Sequence, residues 1–171
     1  MRRSIVVAGA AVAVVGAVLL WRASSAPPRS DEDQIRALFE DAAKAAEERR
    51  VSDVVAAVSE RFAGEGIDRR GVKQLVAAHV LRGEWVRVAI AGVRVAVDGG
   101  RASAIADAVF ARGGARGKPL ADLLISEAAA HRFECALERE DAGWRVVSAR
   151  WRSITIREAL DGPPDPPAPT R

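Results

Sequence analysis

Apolar positions along the chain change period between its halves. Ile35, Leu38, Phe39, Ala42 and Ala46 recur every three or four residues, the spacing of a helix with one buried face. Ser30, with Asp33 three residues on, marks its start, and the charged run from Glu47 to Arg50 its end. Val51, Val55, Val58 and Phe62 form a second, shorter stripe after Ser52, which Gly64 and Gly66 terminate. Asp68 can cap a third helix, with Val72, Leu75, Val76 and Val80 on one face and Gly83 at its end.

From residue 84 the period becomes two. Residues 84–98, 101–112, about 127 or 131 to 140, and 144–155 read as four strands. Asp98-Gly99-Gly100 and Asp141-Ala142-Gly143 are turn signals between them, and the third strand follows a glycine-rich connection, Gly113-Gly114 through Gly117. The first strand slips phase. Val86, Val88 and Ile90 are even, whereas Val93, Val95 and Val97 are odd. One extra residue at Ala91-Gly92, a β-bulge, would keep all six on one face and bend the sheet. Arg87 and Arg94 would then both lie on the outer face. The alternative is a regular strand whose bare valines form an interface, which would make a homodimer through the outer sheet face.

The pattern therefore predicts an α+β domain. Three N-terminal helices pack on a curved, mostly antiparallel four-stranded sheet, preceded by one transmembrane or signal helix. Three segments follow: a signal anchor and linker at 1–29, the folded domain at 30–157, and a proline-rich disordered tail at 158–171. With 171 residues, one domain plus appendages is the expectation.

Charge changes the picture less than the total suggests. The pI is about 9.7. Residues 1–29 hold four arginines and no acid, so residues 30–171 carry 22 basic against 23 acidic side chains. The basic excess belongs to the leader, and a near-neutral domain argues against a nucleic-acid partner. In the leader, Arg2 and Arg3 precede an uncharged apolar run from Ile5 to Trp21. That run is short for a membrane span and long for a signal-peptide core. Ser24-Ser25-Ala26 offers the small residues of a cleavage site, but Pro27 would follow the cut directly. The expectation is an uncleaved single-pass anchor through residues 5–21, with the domain on the extracytoplasmic side. The alternative is a secreted or periplasmic domain after signal cleavage. The single cysteine, Cys135, can close no internal disulfide.

GWRVVSARWRSI at 143–154, with the long first helix and the bulged strand, resembles the nuclear transport factor 2-like superfamily over about residues 33–156. That group includes ketosteroid isomerases and polyketide cyclases. The resemblance implies a cone-like fold and says little about function, because one cone hosts many activities. Ketosteroid isomerases carry carboxylates in the cone, but no motif here matches them residue by residue. Many members have a histidine near the position of Arg150.

Few side chains could carry chemistry. His79 lies within the apolar stripe of the third helix, where it could act as a base or ligand hydrogen bonder, or simply be a core histidine. Asp107 depends on register. A three-residue turn after Val97 puts it inside the cone, whereas a two-residue turn puts Ala102, Ala104, Ala106, Ala108 and Phe110 inside and Asp107 out. Pairing residue 140 with 144 aligns Phe133, Cys135 and Leu137 with Trp151, Ala149 and Val147, and Glu134 with Arg150. His131, at the start of its strand, reads as solvated. Cys135 reads as a structural thiol. Two histidines and one cysteine fit no zinc spacing, so no metal and no cofactor are expected. The candidate pocket is His79, Ile90, Asp107, Phe133, Cys135 and Trp151.

Two functions remain. The first is a non-catalytic, membrane-tethered domain binding an envelope partner protein or a small hydrophobic ligand. The alternative is an isomerase- or cyclase-type enzyme using His79 and Asp107. It requires both side chains in one cavity.

Overall fold

The computed structural model describes residues 29–81, 87–111 and 128–169. The leader, Gly83, Val86 and the 113–117 connection lie outside these residues. Helix α1, Asp31–Glu47, opens with three acids and has Lys44 in its last turn, a distribution that complements the helix dipole. It buries Ile35, Ala43, Ala45 and Ala46, of which Ile35 and Ala46 belong to the predicted stripe; Leu38, Phe39 and Ala42 of that stripe are half-buried and line a cavity. Helix α2, Val51–Ala56, is one and a half turns long and buries Val55. A small hairpin that the sequence pattern did not announce follows: β1, Ala63–Gly64, pairs with β2, Ile67–Asp68. Its turn residues, Glu65 and Gly66, both have positive φ, 49° and 75°. The Asp68 carboxylate then accepts the Gly71 N–H at 2.8 Å and caps helix α3, Arg69–Leu81, as expected.

The main sheet is antiparallel with order β3-β4-β5-β6: Arg87–Asp98, Arg101–Ala111, Ala128–Glu140 and Gly143–Ile154. Asp98 pairs with Arg101 across a two-residue turn, with Gly99 at φ 56°. Ile90 pairs with Ala108 and Gly92 with Asp107, so Ala91 is the extra residue of the expected bulge. Ile90 and Val93 keep one face, while Ala91 packs on the other with Val109, Ala130 and Ala159. With the valines beyond the bulge on the helix side, nothing in this strand demands a covering partner chain. Arg94 is solvated as predicted. Arg87 is not: its side chain pairs with Glu47 at the end of α1 at 2.9 Å and is only 21% exposed. The same Glu47 carboxylate accepts the Val88 N–H, which ties the edge strand to the helix.

A second bulge departs from the sequence reading. Phe133–Trp151, Cys135–Ala149 and Glu134–Arg150 pair as expected. Leu137, however, faces Val146 and not Val147. The cause is an outside claim on the backbone. Val146 donates its N–H to Ala57 O and accepts from Ser59 N–H, at 3.0 and 2.9 Å, so the segment after α2 covers the free edge of β6.

The inner sheet face meets α1. Ile35, Phe62, Leu137, Trp144 and Val146 form the main core, with Ala102, Ala104 and Cys135 beneath. Ala43, Ala46 and Val88 form a second cluster with Val54, Ile90 and Phe110.

The outer face also has a cover, and here the expectation of a disordered tail from residue 158 is corrected. Helix α4, Ile156–Asp161, begins at a capping box in which Thr155 and Glu158 satisfy each other's backbone N–H groups. Ala159 is fully buried against Val109 and Ala130. The following residues run over the sheet. Pro163 packs on Gly92, Asp165 pairs with Arg94, and the Ser103 hydroxyl donates to Pro167 O. A Cβ on Gly92 would come within 2.8 Å of Pro163 Cδ. Gly92 is thus required for close approach of the tail rather than for an unusual φ. Proline-rich segments have little to bury along one face of their own, so periodicity cannot reveal this docking.

Among the described residues, no helix is long and apolar enough to cross a membrane.

Candidate ligand cavity

Between the helices and the inner sheet face lies a cavity of about 910 Å³. Its shape follows from residue size. Strand β4 presents Ala106 and Ala108 inward, and small side chains on a bent sheet leave space that α1 and α3 do not fill. None of residues 69–79 of α3 is fully buried; Val72, Leu75, Val76 and His79 line the void, and Val72 also packs against the main core. Leu38 and Phe39 of α1 close one wall, and Val88, Ile90, Phe133, Cys135 and Trp151 floor the cavity. No Lys, Arg, Asp or Glu lines it among the described residues.

Beside the Cys135 thiol and the Trp151 indole, the polar side chains of this lining are two imidazoles. His79 comes from α3 and His131 from β5. His131 sits in an aromatic corner, with the Phe110 ring edge-on at 5.6 Å and the Phe133 ring at 6.5 Å. Burial, and then the charge of His79, push the His131 pKa below its ordinary value. His131 is therefore the neutral imidazole at neutral pH. The buried Cys135 thiol is pushed up to about 12, first by burial and then by Glu134. It stays protonated and is a poor nucleophile.

Asp107 stands on the opposite face. It is fully buried, and both its carboxylate oxygens accept from Arg132, at 2.7 Å each. Arg132 also reaches Gly162 O at 3.4 Å. The two-residue turn settles the register and turns Asp107 outward, yet α4 and the tail bury it there. A buried, bidentate, charge-assisted pair is costly to break, since either partner alone would keep an uncompensated charge.

No protein-family model matches the chain, and no curated protein matches it. Solved structures do, at low identity. A Mycobacterium tuberculosis protein of unknown function shares 19% identity, with TM-score 0.56 over 71% of this chain and 70% of its own. An NTF2-like protein of unknown function from Pseudomonas putida shares 14%, with TM-score 0.55 over 74% and 89%. A candidate dehydratase of the NTF2-like family from Streptomyces avermitilis shares 14%, with TM-score 0.56 over 73% and 97%. This is an NTF2-like fold. At such identities the likeness concerns architecture, and function must come from the cavity itself.

The structure gathers five of the six expected pocket residues around one void: His79, Ile90, Phe133, Cys135 and Trp151. Asp107 is the sixth and is not among them. The pairing of His79 with Asp107 that an isomerase or cyclase would need is therefore not assembled. His131, expected to be solvated, lines the cavity. A signal for it existed: it shares odd parity with Phe133, Cys135 and Leu137, which face inward on its strand.

Proposed function

We propose that this chain is a binding protein, not a catalyst, and that its ligand is a small, largely apolar molecule held between α1, α3 and the sheet. The carrying observation is a cavity of about 910 Å³ whose described lining side chains are hydrocarbon apart from two imidazoles, the Trp151 indole and a thiol. A void of this size and composition is stabilised by an occupant that removes apolar wall from water, at roughly 25 cal/mol per Å². Acid–base chemistry of the imidazole–carboxylate kind lacks its carboxylate, and the thiol is held protonated. The apolar run from Ile5 to Trp21 supports a further part of the reading, that the domain works tethered at a membrane on its extracytoplasmic side. Native mass spectrometry of the full-length chain tests the binding reading. The expected result is an apolar organic molecule retained at near one per chain and recoverable by solvent extraction. A chain that carries none, and that takes up no uncharged fluorophore, overturns it.

A further inference from the structure

The main sheet has one covered edge and one open edge. Along β6 the segment after α2 bonds to Val146, and a Cβ on Gly64 would come within 2.6 Å of Ala149 O. Strand β3 forms the other edge. Asp98 and Arg101 flank a two-residue turn and share ladder bonds, so Ala96 and Arg94 also bond toward β4. The N–H and C=O groups of Val93, Val95 and Val97 therefore point away from the sheet. The Val88 N–H fits the same alternation once the extra residue Ala91 is counted, and there Glu47 accepts it. Past the bulge, residues 93–97 have no such cap among the described residues. Helix α1 leaves them clear. Its last turns meet Arg87 and Val88, whereas Asp31 at its start bonds to Arg139 and Trp144 on β5 and β6. We propose that residues 92–98 of β3 pair antiparallel with the same stretch of a second copy of this chain, joining two four-stranded sheets edge to edge.

The register follows from the strand itself. The bulge at Ala91 and the turn at Gly99 bound its regular stretch, and Val95 is the centre of that stretch. A two-fold axis there sets Val95 against its counterpart and Val93 against the partner's Val97. Each such pair exchanges backbone bonds. The side chains agree with this register. On the helix side, half-buried valines meet valines, which suit a sheet surface. On the outer side, Arg94 lies diagonal to the partner's Asp98, within reach of a long side chain. Asp98 has no ion pair within its own chain among the described residues, and Arg94 has only a solvated one, 3.7 Å from Asp165. An open edge accepts any extended backbone. The symmetric valine spacing and the opposite charges single out a second copy.

Sedimentation equilibrium of the full-length chain tests this. The contact is smaller than a standard interface, so a dimer forming on the order of 10–100 µM is expected. V95P removes an outward N–H and leaves the bonds to β4 in place, a position where an edge strand tolerates proline. It should abolish the dimer with little change in thermal unfolding. Where V95P fails to fold, the charges decide. R94D and D98R each put like charges on the diagonal and should weaken dimerisation about tenfold. Mixing the two variants restores opposite charges and should recover the native affinity in a heterodimer, which damage to the fold cannot do. Association through any other surface would be indifferent to these substitutions. A native chain that stays monomeric to about 500 µM overturns the proposal. So does a dimer that all three substitutions leave intact, or a mixture that associates no better than its components.

Discussion

The two faces of one strand solve opposite packing problems. Along β4, Ala104, Ala106 and Ala108 point to the helices, while Ile105, Asp107 and Val109 point away. Inward, small side chains and a helix that stands off leave a cavity. Outward, a short helix and an extended tail fill the surface so tightly that Asp107, Val109 and Ala159 are at most 1% exposed. The face that looks like a protein interior by sequence, a row of alanines, is the one with the void. The face that carries a charge is the sealed one. Burial here is decided by what lies over a residue, not by the residue's polarity.

The largest effect should come from breaking the sealed face. Asp107→Ala leaves the Arg132 guanidinium buried without a counter-charge and should cost about 3–5 kcal/mol in denaturant unfolding. Adding Arg132→Met to it should recover most of that loss. A cost below about 1 kcal/mol, as for surface pairs, would show that the tail does not seal the pair from water.

Added volume should separate the faces next. Ala130→Leu, under α4, should destabilise by about 1–3 kcal/mol through overpacking. Ala108→Leu projects into the cavity and should cost less, while abolishing uptake of an apolar fluorophore. Equal costs at the two positions would mean that the inner face is as filled as the outer.

Much of this comparison was legible beforehand, and the missing parts share one cause. The β3 bulge could be read because alternation fails inside one strand and a glycine marks the place. The β6 bulge could not: Val146 and Val147 are equally apolar, and the bonds that displace the pairing come from Ala57 and Ser59, nearly ninety positions away in the chain. The inward direction of His79 followed from its own helix, whereas that of His131 required carrying the Phe133 parity back along β5. Asp107 was assigned a face conditionally, yet its burial depends on a tail whose partners, Gly92, Arg94 and Ser103, lie on two other elements. Local periodicity captured the elements; non-local covers decided exposure.

The smallest effect is the pH dependence of the inner face. The folded-state pKa of His131 is depressed below about 6.5, mainly by burial. Above that value both folded and unfolded chains hold it neutral, so its contribution to stability is complete. As pH falls below about 6.5 the unfolded chain takes up the proton first, and stability declines toward the folded pKa. Thermal unfolding of the native chain should show this decline, and H131F should flatten it. Glu158 is held below the usual carboxylate range by its bonds to Thr155 and acts in a separate window, below about 4.5. A profile that is flat from pH 7 to 5 in the native chain would place His131 in water.

The central claim is that the inner face, and not the outer, receives a ligand. Methyl resonances of Val88 and Ile90 on the cavity wall, and of Val109 under the C-terminal cover and Ile156 within it, report the two faces within one molecule. Titrating decan-1-ol into the full-length, methyl-labelled chain should shift Val88 and Ile90 saturably and leave Val109 and Ile156 in place. Shifts confined to Val109 and Ile156, or no saturable shift on either face, would contradict the account.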